Sequence, residues 1–337
     1  MKVTIKDVAK AVGVSASTVS RALRDHPRIS PEVRQRVQQA AREMDFHPNQ
    51  MARSLVNRQT RIVGIVFPGD MDQSMGHPFY PSVLQGLGHE ATRQRYHMLL
   101  AGGSEGESSA DAGRRLVESG YISGLILLAA EDAPAGEMTL PTVVVGHPSQ
   151  SGLCYYVDNN NVEAGRQAVD YLLKRGHRRV LFLGYDKQFM VTVNRMRGYR
   201  AGLEKAGVPF RRDWVVPSQF NRSQPDPQLI RRIFQQPDHP TAVVCMDDAQ
   251  AIALCGLLSD MGLRVPQDVS LISFNNTVSG RYHTPALTSF DVNARQLGMS
   301  AMQLMLQVLE EGRTGPAYIE VPFTLVERDS VRDWTEE

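Results

Sequence analysis

Along the first sixty residues, apolar positions recur at helical spacing in three short stretches, each opened by a hydroxyl residue. Ile5, Val8, Ala9 and Val12 share one face after Thr4, and Asp7 stands three residues beyond the threonine as in a weak capping box. Gly13 ends that stretch, as suits a position needing positive φ. Ser15 opens the second stretch, whose inward stripe is Val19, Ala22 and Leu23. Ser30-Pro31-Glu32 opens the third with a cap, a proline at the first helical position and an acid in the first turn. Val33, Val37, Ala40, Ala41 and Met44 carry that helix to about Asp45. A helix, a glycine turn and a second helix with a polar N-terminus is the helix-turn-helix pattern, for which a plain helical hairpin is the competing reading.

From Arg61 the pattern changes to short apolar runs alternating with amphipathic stretches. Ile62–Phe67, Met98–Ala101, Leu125–Ala129, Thr142–Val145, Val180–Leu183, Ala242–Cys245 and Ser270–Phe274 read as buried strands. Pro81–Arg95, Ala110–Ser119, Asn161–Arg175, Met196–Ala206, Pro227–Gln235 and Ala249–Met261 read as helices between them. This alternation predicts an α/β body of doubly wound parallel sheets, and the two runs before and after Asp158 predict two similar lobes. The expected division is a small all-α helix-turn-helix headpiece over residues 1–46, a hinge helix or linker over 47–60 and a core over 61–330. Within the core, one lobe takes about 61–158 and 290–318, the other about 159–289 and 319–330, and 331–337 is a tail.

The length of 337 residues, with 42% apolar and 22% charged positions, fits several packing units and excludes disorder or a coiled-coil filament for the whole chain. The formal net charge of +1 hides a split: residues 1–61 hold twelve Lys and Arg against five acids, and the rest holds 25 basic and 31 acidic groups. A basic arm on an acidic body suggests one end that meets a polyanion, although a solvated basic helix explains the charge equally well. Cys154, Cys245 and Cys255 are scattered, without the spacing of a zinc site or a disulfide framework. No apolar run reaches membrane-spanning length and Met1–Lys10 lacks an apolar signal core, so the expectation is a cytoplasmic protein.

Two regions carry candidate chemistry. The second short helix presents Ser15, Ala16, Ser17, Thr18, Ser20 and Arg21 near its N-terminus. Small hydroxyl residues let that end approach phosphate, and Arg21 is long enough to present its fork to guanine in the major groove. The stretch 46–60 holds Asn49 as a cap and only Met51, Ala52, Leu55 and Val56 as apolar members, too few to hold a helix alone in water. A leucine wedge at Leu55 in the minor groove, flanked by Arg53 and Arg58 on phosphates, explains the composition better than an inert linker.

In the core, ligands bind outside the carboxyl ends of parallel strands. The residues there are Phe79 and Tyr80 after the first strand, Arg195 at the end of a loop after Val180–Leu183, and Phe220 beyond Trp214. Asp247 and Asp248 follow Ala242–Cys245, and Asn275 and Asn276 follow Ser270–Phe274. Aromatics to stack on an apolar sugar face, with Arg, Asp and Asn to take hydroxyls, suit a small polyol. Each has a bland alternative: core for the aromatics, a helix cap for Asp248, turn positions for the asparagines.

Several runs together resemble the LacI/GalR family of bacterial repressors over nearly the whole chain: Thr4–Leu23, Asn49–Leu55, His77–Tyr80, Arg175–Val180, Met261–Phe274, Tyr282–Ser289 and Leu325–Ser330. The resemblance implies a DNA-binding headpiece, a hinge helix and a core similar to periplasmic sugar-binding proteins. It also implies a homodimer on double-stranded, pseudo-palindromic operator DNA. It places Ala16, Ser17 and Arg21 at base-reading positions, Ser15 and Thr18 on phosphate, and Leu55 at the central minor-groove step. Thr4, Ser20, Asn49, Ala52 and Arg53 join this DNA-contacting set. Phe79, Tyr80, Arg195, Phe220, Asp248 and Asn275 fall where relatives hold their effector, and Asp247 is positioned to replace the carboxylate that Asn275 lacks. The runs His77–Tyr80, Val191–Tyr199 and Phe274–Asn276 look most like the maltose-type repressors, which makes a malto-oligosaccharide the expected effector. The short tail without heptads argues against a tetramerising helix.

The functional expectation is therefore a ligand-switched repressor of sugar-utilisation genes, with no membrane partner, cofactor, metal or catalytic residue. Alternatives are a regulator with a non-sugar or corepressor effector, a transport binding protein, or a sugar-processing enzyme. Asp247 and Asp248 are adjacent rather than spaced like a glycosidase pair, and no phosphate-cradling glycine motif precedes any helix. A transport protein would not need residues 1–60.

Overall fold

The computed structural model describes residues 3–23, 25–46, 60–103, 107–128, 138–148, 155–185, 189–218, 225–312 and 315–335. The chain forms two compact units, Met1–Thr60 and Arg61–Glu337.

In the first unit, helices α1 (Ile5–Val12), α2 (Ala16–Ala22) and α3 (Pro31–Glu43) close on a small core of Val8, Ala9, Val12, Val19, Ala22, Val37 and Ala41. The start and stop signals are the expected ones. The Asp7 carboxylate takes the Thr4 backbone N–H at 2.8 Å and its hydroxyl at 2.6 Å, and Gly13 ends α1 at φ 76°. Ser15 and Ser30 accept the Thr18 and Val33 N–H groups. Two of the arginines serve the fold. Arg36 donates to the Val12 carbonyl at the end of α1 (2.9 Å), and Arg34 reaches the His26 and Ile29 carbonyls.

The second unit contains two six-stranded sheets. The first has the order β11-β5-β4-β3-β1-β2: β1 Ile62–Asp70, β2 His97–Gly103, β3 Gly124–Leu127, β4 Thr142–Val145, β5 Tyr155–Asp158 and β11 Ala317–Glu320. The second has the order β12-β10-β9-β8-β6-β7: β6 Val180–Tyr185, β7 Val215–Ser218, β8 Ala242–Cys245, β9 Ser270–Phe274, β10 Thr288–Asp291 and β12 Thr324–Val326. Every pairing is parallel except β10 with β12, so both sheets are the doubly wound type the alternation predicts. Helices α4 (Met71–Gly76), α5 (Phe79–Arg93), α6 (Ser109–Glu118) and α12 (Ala294–Glu311) belong with the first sheet. Helices α7 (Asn161–Lys174), α8 (Met190–Lys205), α9 (Pro227–Phe234), α10 (Asp248–Asp260) and α11 (Val278–Tyr282) belong with the second. Each sheet buries apolar side chains on both faces, which is why its central strands read as unbroken apolar runs; the edge strand β2, expected to be buried, leaves Leu99 and Leu100 exposed.

Two features differ from the sequence reading. The segment ending at Arg195 is helix, not loop: α8 starts at Met190. Val191, Thr192 and Val193 are β-branched and Phe189 offers no cap, so local preference argues against a helix that burial enforces. The strands β5, β10, β11 and β12 do not stand out in the sequence, because polar or aromatic residues interrupt their short apolar pattern, whereas the equally short β3, β4 and β8 are almost wholly aliphatic; the strand expected at Trp214 is β7, which starts one residue later.

The chain crosses between sheets three times: from β5 to α7 through Asn159 and Asn160, from β10 to α12 through Val292 and Asn293, and from β11 to β12 through Val321–Phe323. The sequence reading put the last two near 290 and 318; β10 runs on to Asp291 and β11 to Glu320.

Candidate functional site

On the headpiece, Ser17 and Arg21 are exposed one turn apart on α2, and Ser15 and Thr4 are exposed at the starts of α2 and α1. Ala16, Thr18 and Ser20 are half-buried, and Ala16 packs on the headpiece core. The Ser15 hydroxyl is engaged with Ser17 at 2.8 Å and Thr18 at 2.9 Å, so it holds the helix start in shape. Asn49, Ala52, Arg53 and Leu55 lie outside the described residues, as does Phe220 in the core.

Between the two lobes, at the carboxyl ends of both sheets, lies a cavity of about 110 Å³. Phe79, Tyr80, Arg195, Asp247 and Asn275 all line it. Phe79 and Tyr80 open α5 and meet edge to face, with centroids 5.2 Å apart. From the second lobe come Tyr185, at the end of β6, and Phe189 and Met190 at the start of α8. Apolar walls with a few converging polar groups are what a small-molecule site requires.

Arg195 is 4% exposed. Its Nε donates to Asn161 Oδ1 at 3.0 Å, its Nη1 to the Met246 carbonyl at 2.8 Å, and its guanidinium lies 3.8 Å from the Phe274 ring centroid. The backbone is fixed as well: a Cβ on Gly165 of α7 would fall 2.2 Å from the Arg195 carbonyl oxygen, so that glycine lets α8 approach. Burial lowers the Arg195 pKa to about 10, while the Asp158, Asp247 and Tyr185 charges oppose the shift.

Asp247 caps α10 through the Gln250 N–H at 2.8 Å, and its other oxygen accepts from Tyr185 and lies 2.8 Å from His77 Nε2. Burial alone would raise its pKa, but the His77, Tyr185 and Gln250 interactions outweigh that and hold the carboxyl below its ordinary value. His77 stands between α4 and α5 and Asp247 begins α10, so this contact ties one lobe to the other across the cavity.

Asp248 is absent from the cavity wall. Its fully buried carboxylate accepts from Ser273 (2.5 Å), Ser289 (2.7 Å) and both the N–H and the hydroxyl of Thr277 (2.5 and 2.7 Å). It anchors the turn before α11, and the helix cap is its neighbour Asp247 rather than Asp248 itself. Asn275 (φ 89°) and Asn276 (φ 46°) are both left-handed, a conformation asparagine tolerates better than most residues. Only Asn275 of the two reaches the cavity, while Asn276 bonds Asp291 and Arg328.

Sequence reasoning missed Asp158, Asn159, Asn161, His147, Tyr185 and Phe189, all of which line the cavity. A polar cluster at the end of a strand marked the first three, but β5 itself, Tyr155-Tyr156-Val157-Asp158, is too little aliphatic to stand out. Burial raises the Asp158 pKa to about 6 against the bonds from Asn159 and Asn161 and the Arg195 charge. Among the described residues no group of three or more His, Cys, Asp or Glu is placed to hold a metal. No helix there is long and apolar enough to cross a membrane.

Residues 4–49 match the family described as bacterial regulatory proteins, lacI family, and residues 169–331 match the periplasmic binding protein-like domain. The regulator MalR of Streptococcus pneumoniae is 32% identical over 318 residues, covering 93% of this chain and 94% of MalR. The repressor PurR of Erwinia tasmaniensis is 30% identical over 337 residues, covering 98% and 97%. A solved complex of the transcriptional regulator CelR with cellobiose superposes with a TM-score of 0.74 at 26% identity, over 98% of this chain and all of that one. The lac repressor dimer bound to operator and an anti-inducer shares the fold, with a TM-score of 0.81 at 20% identity over the same share of each chain.

Proposed function

Because this chain belongs to the lacI family of bacterial regulatory proteins, DNA-binding transcriptional regulators rather than enzymes, we propose that it is a sugar-released repressor. It binds a pseudo-palindromic operator as a dimer, with Ser17 and Arg21 reading bases and Thr4, Ser15 and Thr18 near phosphate. Asn49, Ala52, Arg53 and Leu55 supply the minor-groove contacts. A small carbohydrate, a malto-oligosaccharide by preference, fills the interlobe cavity and releases the DNA.

The observation that carries this reading is the composition of the cavity. Phe79, Tyr80, Tyr185 and Phe189 offer apolar faces, while Arg195, Asp158, Asp247, Asn161 and Asn275 converge with donors and acceptors. A pyranose has both an apolar C–H face and a rim of hydroxyls, so this pairing fits it. The CelR relative holds a disaccharide in its solved complex, and the MalR relative agrees with the maltose-type runs in this sequence.

Effector that favours a different lobe angle biases the operator-competent arrangement, and the coupling is reciprocal. The test is calorimetric titration of the full-length protein with maltose, longer malto-oligosaccharides, cellobiose and their phosphates, with and without operator DNA. Binding of maltose or its homologues that weakens when operator is present supports release. Tighter binding with operator makes the sugar a corepressor. Silence across the panel removes the sugar reading and leaves the regulator. Arg195→Ala weakens the bound sugar roughly 10- to 100-fold, because a buried charged donor is lost, and abolishes the response with operator affinity unchanged. A normal response in that variant puts the effector elsewhere.

A further inference from the structure

We infer that Asn159 is a positioning residue whose side-chain amide binds the three lobe crossings into one hinge and links that hinge to Arg195 in the cavity. The inference rests on the cavity being the ligand site.

Asn159 is the first residue of the first crossing and is 6% exposed. Its Nδ2 donates to the Val292 carbonyl at 3.1 Å and the Val321 carbonyl at 2.8 Å, one from each of the other two crossings. Both acceptors are carbonyl oxygens, so only the nitrogen end of the amide can face them. The Val321 N–H in turn donates to the Asp158 carbonyl at 2.9 Å. All three strands of chain between the lobes therefore meet around one side chain.

The same residue continues into the cavity. Its backbone N–H donates to Asp158 Oδ1 at 2.8 Å, and Asn161 Nδ2 donates to the same oxygen at 2.9 Å. Asn161 Oδ1 accepts from Arg195 Nε at 3.0 Å, which fixes the Asn161 amide the opposite way round. The result is an unbroken buried line from Arg195 through Asn161 and Asp158 to Asn159, and from there to Val292 and Val321.

A change of lobe angle is a rotation spread over three crossings. Left independent, each can twist separately and the lobes can take many angles. With both distant carbonyls held by one amide, the crossings turn about a common axis, and Arg195 shifts that axis when a ligand draws on it. Buried bonds of this kind are costly to leave unmade, so the linkage is stiff.

The test places spin labels at two exposed positions, Glu118→Cys on α6 and Glu204→Cys on α8, in full-length protein with Cys154 and Cys255 replaced by serine, co-refolded with excess unlabelled protein so that each dimer carries one labelled protomer. Pulsed dipolar spectroscopy then gives the interlobe distance distribution, without sugar and with maltose. Asn159→Ala is expected to at least double the width of the ligand-free distribution. Asn159→Asp, with a carboxylate oxygen against two carbonyls, broadens it further. Asn159→Ser, a single donor that leaves at least one carbonyl without its bond, gives an intermediate width and serves if the others do not fold. Wild-type width in folded Asn159 variants overturns the inference and makes the amide a stability element only. If maltose moves no protein, wild type included, the ligand proposal fails, while the ligand-free widths still decide the hinge.

Discussion

His177 lies fully buried between the Thr241 hydroxyl at 3.0 Å and the Arg332 carbonyl at 3.2 Å, beside the ring of Trp334. Burial pushes its pKa down from 6.5 to about 4, so the folded state keeps it neutral where the unfolded chain takes a proton. Its contribution is fully present above pH 6.5 and is lost as pH falls towards 4, by roughly 3 kcal/mol. Asp158 acts in the opposite sense. With a folded pKa of about 6 against 3.8, its ionisation weighs on the folded state above pH 6, and that burden lifts as pH falls. Urea unfolding between pH 7.5 and 4 should therefore show a shallower loss of stability in His177→Gln than in wild type. Parallel curves would mean that His177 does not hold this shift. The pair also shows what residue type alone conceals. His177 in Arg175–Val180 and Asp158 at the boundary of the two apolar runs are both plain in the sequence, but their titration depends on neighbours up to 155 residues away.

At the scale of elements, both lobes use glycine to bring two helices into backbone contact. A Cβ on Gly86 of α5 would stand 2.0 Å from the Arg295 carbonyl of α12, and one on Gly298 would stand 2.0 Å from Val83 O. In the second lobe, Gly165 and Gly198 do the same for α7 and α8, and there the close approach also sets Arg195. Two glycines one turn-half apart on α5 give a direct comparison. Gly86→Ala meets backbone that cannot yield and should cost about 1–3 kcal/mol or more. Gly88→Ala meets only the Met98 methyl at 3.4 Å and should gain about 0.5–1 kcal/mol from helix propensity. Thermal melts of the two variants decide this; equal losses would refute the packing argument. Helix capping was readable throughout the headpiece because it depends on three or four adjacent residues. The start of α8 was not, because Val191–Val193 prefer extended backbone and become helical only under burial.

For the whole molecule, the concentration of positive charge in residues 1–61 predicts steep salt dependence of operator binding. Lys6, Lys10, Arg21, Arg28 and Arg42 are exposed on the headpiece. A dimer neutralising six or more phosphates should lose affinity by about 10³-fold between 50 and 200 mM salt. Fluorescence anisotropy with labelled operator measures this, and a loss under about tenfold would mean that phosphate contacts are few. The order of elements, the parallel sheets, the two lobes and the capped helices of the headpiece were all determined by the sequence, because hydrophobic period, caps and charge act over short stretches of chain. Tertiary structure alone decided which of the adjacent Asp247 and Asp248 faces the cavity, since one is a helix cap turned toward His77 and the other is taken up by Ser273, Ser289 and Thr277. It also decided the meeting of Asn159 with Val292 and Val321, 133 and 162 residues further on. Such contacts join residues with no local relation, and only the closing of both sheets brings their ends together.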